Sequence, residues 1–340
     1  MKKIQGGLFV LYLLVNLLLP AKAEGAERPA ARPGESSSLE SFIFLVPTAT
    51  FISTLPVWVA QASSYFAKEG LEVRIVAGGG PIGVLVLLNG AGQAGGLGDS
   101  AVRAALQGAP VKVVATPVKA ANFYLYSRPD FTNINQLKGK SIAVASINGT
   151  PHVLAIRILR DHYGWTDPVR DVRWVSILEQ RVQALQVGAI EAAMLFSPDN
   201  VQADRLGMRK HFTTTDFIAI PSGGIAVTDE YLRRNSAELK RFLTGHLKGL
   251  RRIHSDPTFT ISVIEQRLKT DRDTAKAIYE SQLSTFTTSD VVPESALKLN
   301  LEFNKEMAKK FARDLRPSDV FDFSIVSQVA GELDASGWKP

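Results

Sequence analysis

Gly78, Gly80 and Gly83 fit the pattern G-x-G-x-x-G after an apolar run, and Asp99 follows Gly83 by 16 residues. In a dinucleotide site such glycines admit a pyrophosphate and the acid holds a ribose. Here the pattern falls in the second strand–helix unit, and Asp99 follows another glycine loop instead of ending a strand. A tight turn that brings backbone close to a ligand is the better reading. Gly98-Asp99-Ser100 begins like the turn that exposes a nucleophilic serine, but Val102 stands where that turn needs glycine. Ser100 is therefore read as a helix cap, its hydroxyl accepting from an orphan N–H. The five histidines (His152, His162, His211, His246 and His254) show no metal-ligand spacing and read as ordinary surface or core residues. No Walker lysine or paired-carboxylate motif stands out, and Asn148-Gly149-Thr150 matches only a glycosylation sequon. The chain has no cysteine, which excludes disulfides, thiolate metal sites, cysteine nucleophiles and bacterial lipid attachment. No catalytic apparatus is assembled, and no metal or cofactor is expected.

What the sequence does supply is a set of turns built to receive a ligand. Residues 48–54, 78–80, 96–100 and 146–150 are each rich in Gly, Ser, Thr or Asn, and each precedes a helical pattern. A helix N-terminus presents unpaired N–H groups and a partial positive charge, which suit anions and polar acceptors. In an open α/β sheet such turns line the crevice at the carboxyl ends of the strands.

The elements that carry these turns alternate. Apolar strands are expected at 42–46, 71–77, 111–116, 122–127, 141–145, 172–176 and 192–196. Between them lie helices opened by Pro56, by Pro81, near Ser100 and by Pro151, and one over 179–187. Such alternation predicts parallel sheets covered by helices. From about Ser236 the chain turns helical: Leu239, Phe242, Leu243, Leu247, Leu250 and Ile253 recur on one face. Lys240, Arg241, Lys248, Arg251 and Arg252 lie on the opposite face, read as solvated. Arg181 is expected to be exposed.

The 340 residues carry a formal charge of +6, and 45% are apolar, ample for a core. Lys2 and Lys3, the apolar run 6–19 and Ala21-Lys22-Ala23 have the layout of a secretory signal peptide cleaved before Glu24. Without residues 1–23 the chain keeps 36 basic and 33 acidic residues, a balance that points to no nucleic-acid partner. Residues 24–39, rich in Pro, Ala, Gly, Ser and Glu, read as a flexible leader. An exported chain with neither disulfides nor a lipid anchor fits the periplasm.

Four segments carry a family resemblance: PVWVAQASSYFAKEGLEVRIVAGGG (56–80), GLGDS (96–100), INQLKGKSIAVASINGTPHVLAIRIL (134–159) and VQALQVGAIEAAMLFSPDN (182–200). In order and spacing the chain resembles the nitrate/sulfonate/taurine-type substrate-binding proteins of ABC transporters. Ser64 stands where that family usually has Gly, and Glu191 where it has Asp. The resemblance implies a type II periplasmic-binding-protein fold, with two α/β lobes, a two-segment hinge and a ligand cleft between them. Residues 40–121 plus 225–340 would form lobe I and 122–224 lobe II, with crossings near 120–123 and 223–226. A monomeric receptor would close on a small polar or anionic organic molecule and deliver it to a membrane permease driven by a separate ATPase. Thr48, Thr50, Phe51, Gly98, Asp99 and Ser100 would bind it from lobe I, and Asn148, Gly149, Thr150, Pro151 and Ser197 from lobe II. Phe196 or Tyr124 would pack on its apolar part, and Asp99 would favour an amine or ring N–H. Two alternatives stay open: an enzyme of the same fold acting on pyrimidine precursors, and a receptor serving a sensor protein.

Overall fold

Period-two and period-3.6 apolar patterns resolve into two five-stranded sheets wrapped by helices. The computed structural model describes residues 39–120, 122–308 and 312–340. The expected signal peptide (1–23) and the leader up to residue 38 lie outside the described residues. The strands are β1 (Glu40–Val46), β2 (Leu71–Ala77), β3 (Ala94–Gly95), β4 (Val111–Ala115), β5 (Tyr124–Ser127), β6 (Ser141–Val144), β7 (Arg173–Ser176), β8 (Ala192–Leu195), β9 (Arg209–Thr213) and β10 (Ile225–Thr228). One sheet has the order β2-β1-β3-β10-β4 and the other β7-β6-β8-β5-β9.

The helices that follow the first-sheet strands are α1 (Leu55–Ala62), α2 (Tyr65–Lys68), α3 (Gly80–Leu88) and α4 (Gly98–Leu106). Those of the second are α5 (Thr150–Tyr163), α6 (Arg181–Gln186) and α7 (Asp199–Arg205). The helical remainder is α8 (Asp229–Arg234), α9 (Ser236–Ser255), α10 (Pro257–Leu268), α11 (Arg272–Leu283), α12 (Glu294–Ala308), α13 (Pro317–Val320) and α14 (Ser324–Ala335).

The sheets are mixed, which corrects the expectation of parallel ones. Strands joined through helices do run parallel, β1 with β2 and β6 with β7. β5 and β10 instead reach their sheets directly from the other one, with no covering helix to impose a direction. β5 pairs antiparallel with β8 and β9, and β10 with β3 and β4. The two crossings lie side by side, Val118 bridging antiparallel to Ser222. A third segment, unanticipated from sequence, backs them: Val118 also bridges Phe286, and Thr116 N–H donates to the Asp290 carbonyl at 2.7 Å.

The apolar face of α9 packs beneath the first sheet, with Phe242 stacked on Phe42 at 4.4 Å between ring centroids and on Phe66 at 5.3 Å. Its basic face is not simply solvated. Lys240 pairs with Glu332, Arg241 with Glu40, Lys248 with Glu69, Arg251 with Asp334 and Arg252 with Asp256. Charges that read as a free patch along the sequence are thus matched by carboxylates from neighbouring elements.

Ser64, the departure from the family's usual glycine, sits between α1 and α2 at φ 56° and ψ 24°. This left-handed conformation crowds any Cβ and is ordinarily given to glycine. Ser64→Gly is expected to stabilise the fold by about 0.5–1 kcal/mol, strain relief outweighing the extra freedom of the unfolded chain. A higher midpoint in urea at unchanged slope is the measurement that checks it.

Candidate functional site

A cleft of about 340 Å³ opens where the carboxyl ends of strands from both sheets face each other. All four turns singled out in the sequence reach it. From the first sheet come Thr48 and Phe51 after β1, Gly79 and Gly80 at the start of α3, and Gly98, Asp99 and Ser100 in the first turn of α4. Across the cleft stand Asn148, Gly149, Thr150 and Pro151, which open α5, with Phe196 after β8. The N-termini of three helices of nine or more residues thus face one space, where first-turn N–H groups have no intrahelical partner.

Asp99 joins the two sides. Its carboxylate accepts from the Ser222 hydroxyl at 2.7 Å, on the second crossing, and from Thr150 Oγ1 at 3.4 Å, in the first turn of α5. One turn along α4, Arg103 also lines the cleft; its Nη1 donates to Asn304 Oδ1 at 3.0 Å and its Nη2 to Ser100 Oγ at 3.4 Å. Burial pushes the Arg103 guanidinium below its ordinary value, against the opposing pull of Asp99. Ser100 is not a cap, contrary to expectation. α4 begins two residues earlier, at Gly98, with Leu97 at the cap position and no side-chain cap.

Two of the expected residues lie elsewhere. Thr50 is exposed and lines a neighbouring compartment instead. Ser197 is buried behind the cleft wall and lines neither space. Phe196 beside it takes the cleft-facing place, and Tyr124 is buried away, its hydroxyl against Asn122 and Gln282. Sequence reasoning missed Arg103, Ser222 and Phe123. The four-residue spacing from Asp99 could have found Arg103, and the Ser222-Gly223-Gly224 turn could have suggested Ser222.

Arg181 overturns its expected exposure. Only 1% of its side chain is accessible, because Asp199, 18 residues along the chain, pairs with Nη2 at 2.9 Å and the Ile177 and Leu178 carbonyls accept from Nη1. Burial lowers the guanidinium and raises the Asp199 carboxyl, each opposed by the attraction between them. The guanidinium carbon lies 4.7 Å from the centre of the Phe196 ring and so backs a cleft wall.

His152 secures the turn before α5. The Asn148 N–H donates to its Nδ1 at 3.0 Å, which places the ring proton on Nε2. Burial pushes the imidazole down to about 4. His211, against Ser127 at 2.8 Å, is lowered likewise by burial and then by Arg209. Folded values below the ordinary ~6.5 mean that the unfolded chain binds more protons as pH falls from there toward 4. The stability these rings contribute is therefore complete above pH ~6.5 and lost on acidification. Thermal melts are expected to show Tm falling by about 3–5 °C between pH 7 and 4.5, and by less in His152→Gln, which does not titrate there.

Residues 52–259, more than half of the chain, match the NMT1/THI5-like family. The riboflavin-binding protein RibY of Chloroflexus aurantiacus is 23% identical over 260 residues, 72% of each chain. Among solved structures, a Bordetella bronchiseptica RB50 protein superposes with a TM-score of 0.74 at 16% identity, over 86% of this chain and 98% of its own. The periplasmic aliphatic sulphonate-binding protein SsuA of Escherichia coli gives 0.66 at 18% identity, over 80% and 95%. Two mixed sheets, paired crossings and a cleft at the strand ends are the periplasmic-binding-protein fold, and the chain belongs to the NMT1/THI5-like family.

Proposed function

We propose that the chain is the periplasmic substrate-binding receptor of an ABC importer. It binds a small polar or anionic organic molecule reversibly, as a monomer, and delivers it to a membrane permease worked by a separate ATPase. The lobes are 40–121 with 225–340, and 122–224, hinged at the paired crossings. The observation that carries this reading is the single cleft lined by helix N-termini from both sheets and bridged by Asp99 to Thr150. Phe51, Phe123 and Phe196 offer apolar surface for the body of a ligand, while Arg103 and the first-turn N–H groups suit a polar or anionic end. The ionisable residues lining the cleft, Asp99 and Arg103, are already engaged with protein partners, an arrangement for holding and not for proton transfer. The names of SsuA and RibY, an aliphatic sulphonate binder and a riboflavin binder, support a binding role over a catalytic one.

Thermal-shift screening against sulfonates, nitrate, carboxylates, amines, pyrimidines and flavins tests the reading. A ligand at a hundredfold excess over Kd is expected to stabilise the fold by about 2.7 kcal/mol. Turnover of one of these compounds with no stabilisation by any would contradict it.

A further inference from the structure

Beside the cleft lies a second compartment of about 250 Å³, between the loop after β1 and helices α6 and α7. Thr48, Leu178 and Phe196 line both spaces, so the two adjoin. The character of the walls changes at that boundary. Beyond Phe196 the lining includes three carboxamides, Gln180, Gln183 and Gln202, none of which has a hydrogen-bond partner among the described residues. Two further groups there lack partners although they are buried: the Thr48 hydroxyl and the Nε–H of Arg181. Arg181 lines the compartment and is 99% buried; its Nη1 and Nη2 each have partners, and its Nε–H has none. A buried donor without an acceptor is costly, and a ligand oxygen would supply one.

We propose that this compartment is a subsite for a neutral, polyhydroxylated arm of a ligand whose body lies in the cleft. The inference rests on the receptor reading above and specifies its substrate class. A carboxamide both donates and accepts, as does a hydroxyl, so a chain of alcohol groups is matched on both counts. Charge disfavours an anionic arm. The Arg181 guanidinium is neutralised by Asp199, and Glu179 adds a carboxylate to the same walls. Phe196, backed by Arg181, separates the part of the ligand that stacks from the part that hydrogen-bonds.

The test is calorimetric titration of the full chain with two matched pairs, riboflavin against lumiflavin and uridine against uracil. Within each pair the members share a ring and differ in the hydroxylated arm. In at least one pair the hydroxylated member is expected to bind tenfold or more tightly than its partner. The double variant Gln183→Ala/Gln202→Ala, altered at two exposed side chains, is expected to reduce that ratio at least fivefold. Equal binding within the pairs, or a ratio unmoved in the double variant, overturns the subsite and leaves the receptor reading intact. Binding of an arm-less compound from the screening panel while neither riboflavin nor uridine binds does the same. Absence of binding by every compound in both sets overturns the receptor reading and the subsite together.

Discussion

Gly149→Val is expected to weaken ligand binding at least a hundredfold while the chain still folds. Gly149 is the cap residue of α5, with extended dihedrals of φ −76° and ψ 164° that a β-branched residue can adopt. The obstacle is space. A Cβ there would collide with the Ser146 hydroxyl and come within 3.0 Å of the Ser146 carbonyl oxygen. The turn 146–150 must then move away from the position that faces Asp99 across the cleft. A hundredfold corresponds to about 2.7 kcal/mol of binding free energy, whereas the fold should lose only about 1 kcal/mol. Titration with a ligand identified by screening, alongside a urea melt, separates the two. A variant that binds like the wild type would remove this turn from the site.

Gly98→Ala is expected to damage the fold itself, by about 3 kcal/mol. The Gly98 N–H donates to the Gly224 carbonyl at 2.7 Å, tying the first turn of α4 to the segment leading into β10. A Cβ on Gly98 would lie 2.7 Å from the Gly224 Cα, and backbone has no alternative rotamer to retreat into. Two residues away, Gly96→Ala is the control. Its Cβ would meet the edge of the Phe44 ring at 3.5 Å, an ordinary contact, so a change under about 0.5 kcal/mol is expected. Denaturation midpoints of the two variants side by side check the contrast; comparable losses would show that the crossing is not the tight point.

Much of this architecture is legible along the chain, for identifiable reasons. Strands β1, β2, β4 and β6 are runs rich in apolar residues with glycine or proline close by, and the turns after β1, β2 and β6 carry the residue types that helix N-termini favour. The strand β9 (RKHFT) was invisible because three polar residues open it and it lies at the edge of its sheet. Strand direction was misjudged for β5, where the chain passes between sheets and local sequence says nothing of which way it enters; β10, at the other crossing, was not expected as a strand. Phe196, expected against the apolar part of a ligand, lines the cleft, whereas Ser197 beside it does not, because successive residues leaving a strand point to opposite faces. The burial of Arg181 depends on Asp199, 18 positions away, and no spacing rule connects them. Ser64 shows the reverse: the glycine usual at this position in the family agrees with the left-handed backbone found there.

Reversible capture without turnover is the central claim, and equilibrium dialysis followed by recovery of the bound compound tests it most directly. The protein should retain one molecule per chain of a compound selected by thermal shift. Mass spectrometry should return that compound unchanged after denaturation, and Gly149→Val should retain none. Recovery of a chemically altered compound, or undiminished retention by Gly149→Val, would contradict the account.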